Sequence, residues 1–430
     1  MKAIIEKNSI RGEMNVPSSK SHTIRAVAIG ALANGKSIIK NPLPSEDGKA
    51  ALKAAEKFGV KCTIEEDQWI LEGLGGNLKV PDDVINVDNS GTTLYMMTGL
   101  ASLLSDWTVF TGDQSIRSRP ATPLLEALNT LGATSFTTRS EAFSPPFVIK
   151  GPIKAGRVKV SGSPSQYIST LLLVAPMLEG LTRIETDNPS ETPYVEMTID
   201  WMRRTGISVN YDEENYRYFE VEGKQNYNAF TRVIPSDWSA VAFPLAAGLA
   251  PGSELVINNL DFNDKQGDSK IVKIFQDMGA NIETDERNNC LKVIGGNKLH
   301  GITIDCSSTP DALPMLSVVA SLAEGVTVLD NVAGVRAKET DRVAVMEKEL
   351  SKMGAKIETE HNKMIIYGGQ PLKGAEVESY GDHRVAMALS VAGLFVDGQT
   401  IVNDSECVNV SFPNFYETLN NLGAGFKLEK

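Results

Sequence analysis

One phrase recurs six times along the chain at nearly even intervals: an amphipathic stretch ending in Gly, then a polar run with strand-like alternation. The copies are Lys57-Phe58-Gly59-Val60, Thr130-Leu131-Gly132-Ala133, Arg204-Thr205-Gly206-Ile207, Asp277-Met278-Gly279-Ala280, Lys352-Met353-Gly354-Ala355 and Asn421-Leu422-Gly423-Ala424. Successive glycines lie 73, 74, 73, 75 and 69 residues apart, too regular for chance and too long for a solenoid repeat. A helix that stops at Gly and gives way to alternating residues, as in Ala355-Lys356-Ile357-Glu358-Thr359, reads as helix, left-handed cap, strand. The chain is therefore expected to be six copies of one α/β folding unit.

A second element keeps step with the first. Short Ser/Thr/Asp-rich segments run directly into nearly all-apolar stretches: Ser18-Ser19-Lys20-Ser21 before 24–33, Asn89-Ser90-Gly91-Thr92 before 94–104, and Ser163-Pro164-Ser165-Gln166 before 167–178. The second half continues with Ser236-Asp237-Trp238-Ser239 before 240–250, Ser308-Thr309-Pro310-Asp311 before 312–323, and Asp382-His383-Arg384 before 385–395. Each segment reads as an N-cap opening a helix that is apolar all round, and such a helix must be buried. Buried helices need sheet around them, and six units fall naturally into two groups of three. Two domains of roughly 200 residues are expected, each a set of three helices wrapped by strands.

Composition sets limits. At 430 residues two or three domains are expected, and 42% hydrophobic with 22% charged is ordinary for a soluble globular enzyme. No apolar run reaches the ~18 residues of a membrane span, and Met1-Lys2-Ala3-Ile4-Ile5-Glu6 lacks the apolar core of a signal peptide, so a cytoplasmic protein is expected. Cys62, Cys290, Cys306 and Cys407 form no CxxC pair and have no nearby His, which points to reduced thiols and no metal site. A net charge of −12 argues against nucleic acid as a partner. Any anionic ligand must find a local basic cluster.

The caps can build one. Helix N-termini carry free N–H groups and about half a positive charge each, so several ends together attract anions without any side chain. Lys20, Arg25 and Arg384 sit at or near such ends, while Arg117, Arg119, Arg336, Lys338 and Arg342 fall in polar loops of the same units. Taken singly, each is as readily a solvated surface charge; their shared place in the repeat argues otherwise. Met96, Met97 and Trp238 read as core, and His300 and His361 as surface residues.

These segments, in this order, resemble the enolpyruvyl transferases, and within them the 5-enolpyruvylshikimate-3-phosphate synthases of the shikimate pathway. The resemblance runs nearly end to end. It rests on Pro17-Ser18-Ser19-Lys20-Ser21-His22-Thr23-Ile24-Arg25, Asn89-Ser90-Gly91-Thr92-Thr93, Arg119-Pro120, Ser165-Gln166-Tyr167, Pro193-Tyr194-Val195-Glu196-Met197-Thr198, Asp237-Trp238-Ser239, Gln266-Gly267-Asp268, Pro310-Asp311, Arg336-Ala337-Lys338-Glu339-Thr340-Asp341-Arg342, Asp382-His383-Arg384 and Ser411-Phe412-Pro413. It implies a two-domain inside-out α/β barrel of six βαβαββ repeats, three per domain. Residues 20–235 would form one domain, residues 1–19 with 236–430 the other, and the active site would lie in a cleft between them that closes on substrate.

The resemblance also implies an enzyme that moves the enolpyruvyl group of phosphoenolpyruvate onto the 5-hydroxyl of shikimate 3-phosphate and releases inorganic phosphate. It implies no cofactor, no metal, no nucleic-acid or membrane partner, and a monomer. Phosphoenolpyruvate brings a carboxylate and a phosphate into a poorly solvated site, so fixed cations must replace lost water. By resemblance these are Lys20, Arg119, Arg342 and Arg384, aided by the N–H groups around Gly91 and Thr92 and by Gln166. The acceptor would meet Lys20, Ser21, Arg25, Ser165, Gln166, Tyr194, Asp311 and Lys338. Asp311 fits the base toward the acceptor hydroxyl and Glu339 the acid/base on the phosphoenolpyruvate side, with Lys20 a rival proton donor. Read without the family, Asp311 is equally a helix cap and Glu339 a partner of Arg336. His383 either binds phosphate or braces its neighbours.

Departures from the family pattern concern both substrates. Two adjacent serines before the Gln, and a Ser two residues ahead of the Pro-Tyr pair, usually hold the acceptor phosphate. Pro164 replaces the first serine and Glu191 the third, with Ser190 displaced by one residue. A carboxylate there would repel a phosphate. Gly334 stands where Asn is frequent, Tyr95 where Arg is, and Val410 where Lys is. Two further readings stand beside the first: a related enolpyruvyl transferase for a different hydroxylated acceptor, and a catalytically dead paralogue that binds small anions. The UDP-N-acetylglucosamine enzyme fits poorly, since residues 111–120 hold no cysteine.

Overall fold

Two compact units make up the computed structural model, which describes residues 1–429: Ser18–Ile234, and Met1–Pro17 together with the chain from Pro235 onward. Both are built from one mixed α/β motif, as the sequence repeat predicts. Residues 85–150 show it plainly: strand Ile85–Asn86, helix, strand Thr108–Thr111, helix, then strands Thr134–Thr137 and Phe147–Lys150. The first two strands run parallel and the last returns antiparallel beside the second, leaving the third at the edge. Six four-stranded sheets of this order occur among the described residues.

In chain order the helices are α1 (Lys20–Leu32), α2 (Glu46–Lys57), α3 (Gly91–Ala101), α4 (Thr122–Thr130), α5 (Gln166–Val174), α6 (Thr192–Arg204), α7 (Trp238–Ala247), α8 (Ile271–Asp277), α9 (Leu313–Leu322), α10 (Arg342–Lys352), α11 (His383–Gly393) and α12 (Phe415–Asn420). Their character alternates. The odd-numbered ones are buried on nearly every side, because their sequences carry almost no charge. Even-numbered ones bury one face and end at the repeated glycine. Those six glycines have φ between +88° and +105°, where a Cβ would clash with the backbone. The amide after each reaches back five residues, as in Val60 N to Ala55 O at 3.2 Å and Ala355 N to Leu350 O at 3.0 Å, which closes the helix and launches the strand.

At the other ends, Ser19, Ser90, Asp237 and Asp382 accept backbone N–H bonds and cap α1, α3, α7 and α11. Two expected caps differ. Ser165 makes no capping bond to α5, and Asp311 lies in a 3₁₀ turn, Pro310–Ala312, ahead of α9. Both side chains are committed elsewhere, Ser165 to a carboxylate and Asp311 to two arginines.

Strand membership crosses the chain order. Arg11–Asn15 pairs parallel with Glu254–Asn258, although the next helix in sequence is α1. Thr231–Val233 pairs parallel with residues 38–40, although it leads into α7. Lys2–Ile5 lies between Thr400–Asn403 and Lys427–Glu429, antiparallel to both. Each unit has its own apolar core: α7, α9 and α11 touch one another in one, and α3 touches α1 and α5 in the other. Met96, Met97 and Trp238 lie in these cores, while His300 and His361 are exposed.

A second set of glycines marks where sheet meets buried helix. Gly73, Gly151, Gly223, Gly295 and Gly368 end the last strand of five repeats. A Cβ on any of them would lie 1.9–2.3 Å from a carbonyl oxygen just past the buried helix, such as Ala250 O for Gly295. We expect Gly295→Ala to lower stability by about 1–3 kcal/mol through enforced backbone displacement, measured by urea unfolding. A change under about 0.5 kcal/mol would mean that the strand end shifts freely.

Candidate active site

In the unit 18–234, expected site residues gather at the N-termini of the buried helices. Lys20 opens α1 directly after its Ser19 cap, with Ser21 next, and its Nζ lies 3.1 Å from Asp47 Oδ2. Asp47 sits in the first turn of α2, where the helix dipole favours a carboxylate, and both partners are largely buried. Arg25 points inward instead. Its guanidinium donates to Thr198 Oγ1 at 2.8 Å, Tyr194 O at 2.9 Å and Ser21 O at 3.0 Å, tying α1 to α6. His22 Nδ1 accepts from Trp201 Nε1 at 2.8 Å, which leaves Nε2 to carry the proton in the neutral ring.

Gly91 and Arg119 meet. A Cβ at position 91 would fall 2.3 Å from Arg119 Nη1, so the guanidinium lies against the first turn of α3 beside half-buried Thr92. The loop carrying Arg119 is pinned at the next residue: the Pro120 carbonyl accepts from Tyr95 Oη at 2.8 Å and Tyr167 Oη at 2.7 Å. The two rings stand edge to face with centroids 5.0 Å apart. Burial, then the neighbouring Tyr95, pushes the Tyr167 phenol well above its usual range, so it remains a donor. Tyr95, where the resemblance led to an expected arginine, thus braces the loop that carries Arg119. Arg117 serves the same loop through the Gly112 carbonyl.

At α5, Gln166 is the first helical residue, and its Oε1 is buried with no hydrogen-bond partner among the described residues. Ser165 donates from Oγ at 2.8 Å and from N at 3.3 Å to the same oxygen of Glu191. Tyr194 follows one turn later, its N–H on the Glu191 carbonyl. Ser190 does not stand in for the missing serine: its hydroxyl donates to Gly162 O at 3.0 Å.

Arg342 governs the other unit. It is wholly buried at the start of α10, with Nε 2.8 Å from Asp382 Oδ2, Nη1 3.0 Å from Asp311 Oδ1 and Nη2 2.7 Å from Glu339 Oε2. Burial pushes its pKa down, but the charges of Asp382, Glu339 and Asp311 outweigh that and hold it above the ordinary arginine value. Arg384 approaches Asp311 from the opposite oxygen at 3.0 Å and also donates to Ser239 Oγ at 3.0 Å. Arg342 and Arg384 thus both contact Asp311, and Arg342 contacts Glu339 as well. Arg336 pairs with Asp341 at 2.9 Å, not with Glu339, and steadies the loop that carries half-buried Lys338. Asp382 holds Arg342, accepts from Thr340 Oγ1 at 3.1 Å and caps α11. His383 is buried, Gly334 lies in the 3₁₀ turn Ala333–Ala337, and Val410 is buried at the end of another that packs on α11.

Sequence reasoning overlooked Asp47, Tyr167 and the hold of Asp382 on Arg342. Asp47 follows Ser45 in a capping pattern that opens α2, a signal that could have marked it. No group of three or more His, Cys, Asp or Glu among the described residues is arranged to hold a metal ion.

Residues 4–419 match the family model described as EPSP synthase (3-phosphoshikimate 1-carboxyvinyltransferase), and the chain belongs to that family. It is 42% identical over 420 residues to the 3-phosphoshikimate 1-carboxyvinyltransferase of Acetivibrio thermocellus, covering 98% of each chain. To the protein of that name from Methanosarcina acetivorans it is 42% identical over 430 residues, covering 99% of each. The solved EPSP synthase of Acinetobacter baumannii superposes with a TM-score of 0.83 at 28% identity, over 100% of both chains.

Two outcomes are expected. Asp382→Ala should cost about 3–5 kcal/mol in urea unfolding, because it strands the buried Arg342 charge; a loss below 1 kcal/mol would mean that the carboxylates of Asp311 and Glu339 suffice. Burial, acting first, pushes the thiols of Cys62, Cys306 and Cys407 up to about 12. Roughly one in 10⁴ would then be thiolate at pH 8, so iodoacetamide should label these three thiols in the native protein at least ~100-fold more slowly than in the urea-unfolded chain. Rapid native labelling of any of the three would contradict this.

Proposed function

We propose that this chain is a 3-phosphoshikimate 1-carboxyvinyltransferase, an enzyme of the shikimate pathway. It transfers the enolpyruvyl group of phosphoenolpyruvate to the 5-hydroxyl of shikimate 3-phosphate. The observation that carries the reading is the buried Arg342 holding Asp311 and Glu339, with Arg384 on Asp311, in a chain that matches relatives of that name from end to end. An anion-binding paralogue without catalysis would have no use for two carboxylates braced in this way.

In the proposed mechanism Asp311 takes the proton of the acceptor hydroxyl as its oxygen attacks C2 of phosphoenolpyruvate, while Glu339 or Lys20 delivers a proton to the methylene carbon. A tetrahedral adduct results. Phosphate then leaves, the methyl group gives up a proton to the same acid/base group, and the vinyl ether forms. Lys20, Arg119, Gln166, Arg342, Arg384 and the N–H groups of Gly91 and Thr92 neutralise phosphoenolpyruvate; Ser21, Arg25, Ser165, Tyr194 and Lys338 serve the acceptor. Arg342 contributes by orienting the carboxylates, since at least four of its N–H contacts reach them in the described geometry. No cofactor is required. Two inside-out α/β barrel domains, a monomer and a cytoplasmic location complete this reading.

One observation favours a second reading, a transferase for another hydroxylated acceptor: Glu191 sits on Ser165, where the acceptor phosphate would bind. Phosphate release from phosphoenolpyruvate with shikimate 3-phosphate, with shikimate and with no acceptor separates the two. We expect release only with the phosphorylated acceptor; equal rates with both acceptors would favour the second reading. Asp311→Ala and Glu339→Gln should each lower turnover by about 10²- to 10⁴-fold with the fold intact by circular dichroism. Turnover within about threefold of the parent in both would remove them from the chemistry.

A further inference from the structure

At the head of α5, Ser165 offers one N–H and one O–H, and both go to a single oxygen of Glu191, at 3.3 and 2.8 Å. These are not loose surface contacts. Ser165 is 1% exposed and Glu191 6%, and Glu191 holds a left-handed backbone, φ +51°, to deliver its carboxylate there. A non-Gly residue in that conformation is uncommon and strained, so the surrounding structure maintains the placement. The neighbouring hydroxyl that might have relieved Ser165 is turned away: Ser190 donates to Gly162 O. Next to Ser165, Gln166 Oε1 is buried without a partner among the described residues. The head of α5 thus carries a buried carboxylate and a buried amide oxygen, while the donors of Ser165 and the hydroxyl of Ser190 are already in use.

We propose that Glu191 is the acceptor-specificity residue of this site, an internal carboxylate that occupies the serine donors an anionic acceptor group would need. The proposal rests on the reading of Ser165 as part of the acceptor pocket. A hydroxyl has one proton to donate and an amide one, so a phosphate can take them only by displacing the Glu191 oxygen. Displacement leaves a buried carboxylate short of two hydrogen bonds and near a second negative charge, and both effects oppose binding. An uncharged hydroxyl in the same place suffers neither, because it can donate to Glu191. Glu191 therefore narrows the margin by which the site prefers a phosphorylated over an unphosphorylated acceptor.

Titration calorimetry of shikimate 3-phosphate and of shikimate, against the parent protein, Glu191→Gln and Glu191→Ser, tests this without requiring turnover. Both substitutions should tighten shikimate 3-phosphate by about tenfold or more, and shikimate by less than about twofold, so that the ratio of the two dissociation constants widens. Thermal melts identify a variant that does not fold, and the other then carries the test. A ratio that stays within twofold of the parent, or phosphorylated-acceptor binding that weakens in the folded variants, would overturn the proposal and make Glu191 a prop for Ser165. Failure of the parent to turn over shikimate 3-phosphate would instead sink the proposed activity, while a widened ratio would still support the role of Glu191.

Discussion

A guanidinium with no exposed surface surrounded by three carboxylates is the constraint on which the polar centre of the C-terminal unit depends. Arg342 would be intolerable in an apolar interior alone, and Asp382, wholly buried as well, would be equally so. Together they satisfy each other, and the remaining nitrogens of Arg342 reach outward to Asp311 and Glu339. The two exposed-side carboxylates are thereby fixed by a group that cannot move without leaving a buried charge unpaired. Asp382 also caps α11 through the N–H of Arg384, so one aspartate sets both arginines. Preorganised charge of this kind costs little reorganisation when a reaction develops its own charges.

The other unit reaches a comparable rigidity by different means. Its cations are held by helix ends and hydroxyls: Lys20 by Asp47 in a first helical turn, and Arg119 by a loop whose carbonyl two tyrosines clamp. Gly91 matters because it has no side chain, leaving room for the Arg119 guanidinium where any Cβ would stand. Arg25 and Arg117 also act as struts in this unit, Arg25 tying α1 to α6 and Arg117 holding the Gly112 carbonyl.

Features set by neighbouring residues were legible in the sequence. A Schellman-type helix end needs only a Gly and the residues around it, so six left-handed caps could be placed from spacing, and four of six helix starts from their Ser or Asp. Ser165 and Asp311 broke the pattern because distant partners, Glu191 and the two arginines, compete for the same oxygens. The identity of those partners was not legible. Arg342 and Asp382 are 40 residues apart and Tyr167 and Pro120 are 47 apart, with no periodicity linking them. The carboxylate at position 191 could be named as an oddity from the sequence, but its grip on Ser165 required the fold.

The crossed strands have a consequence for how the chain comes into being. Lys2–Ile5 finds its partners only at residues 400–403 and 427–429, and Arg11–Asn15 only at 254–258. On a ribosome, where domains generally form as they emerge, Lys2–Ile5 cannot complete its sheet until residues 400–403 and 427–429 have been made. Residues 18–234, by contrast, complete their last sheet when Thr231–Val233 pairs with residues 38–40, and can be finished long before. The Lys2–Ile5 strand must meanwhile wait as an unpaired edge, and the charges in and beside it, Lys2, Glu6 and Lys7, suit it to wait without recruiting another chain.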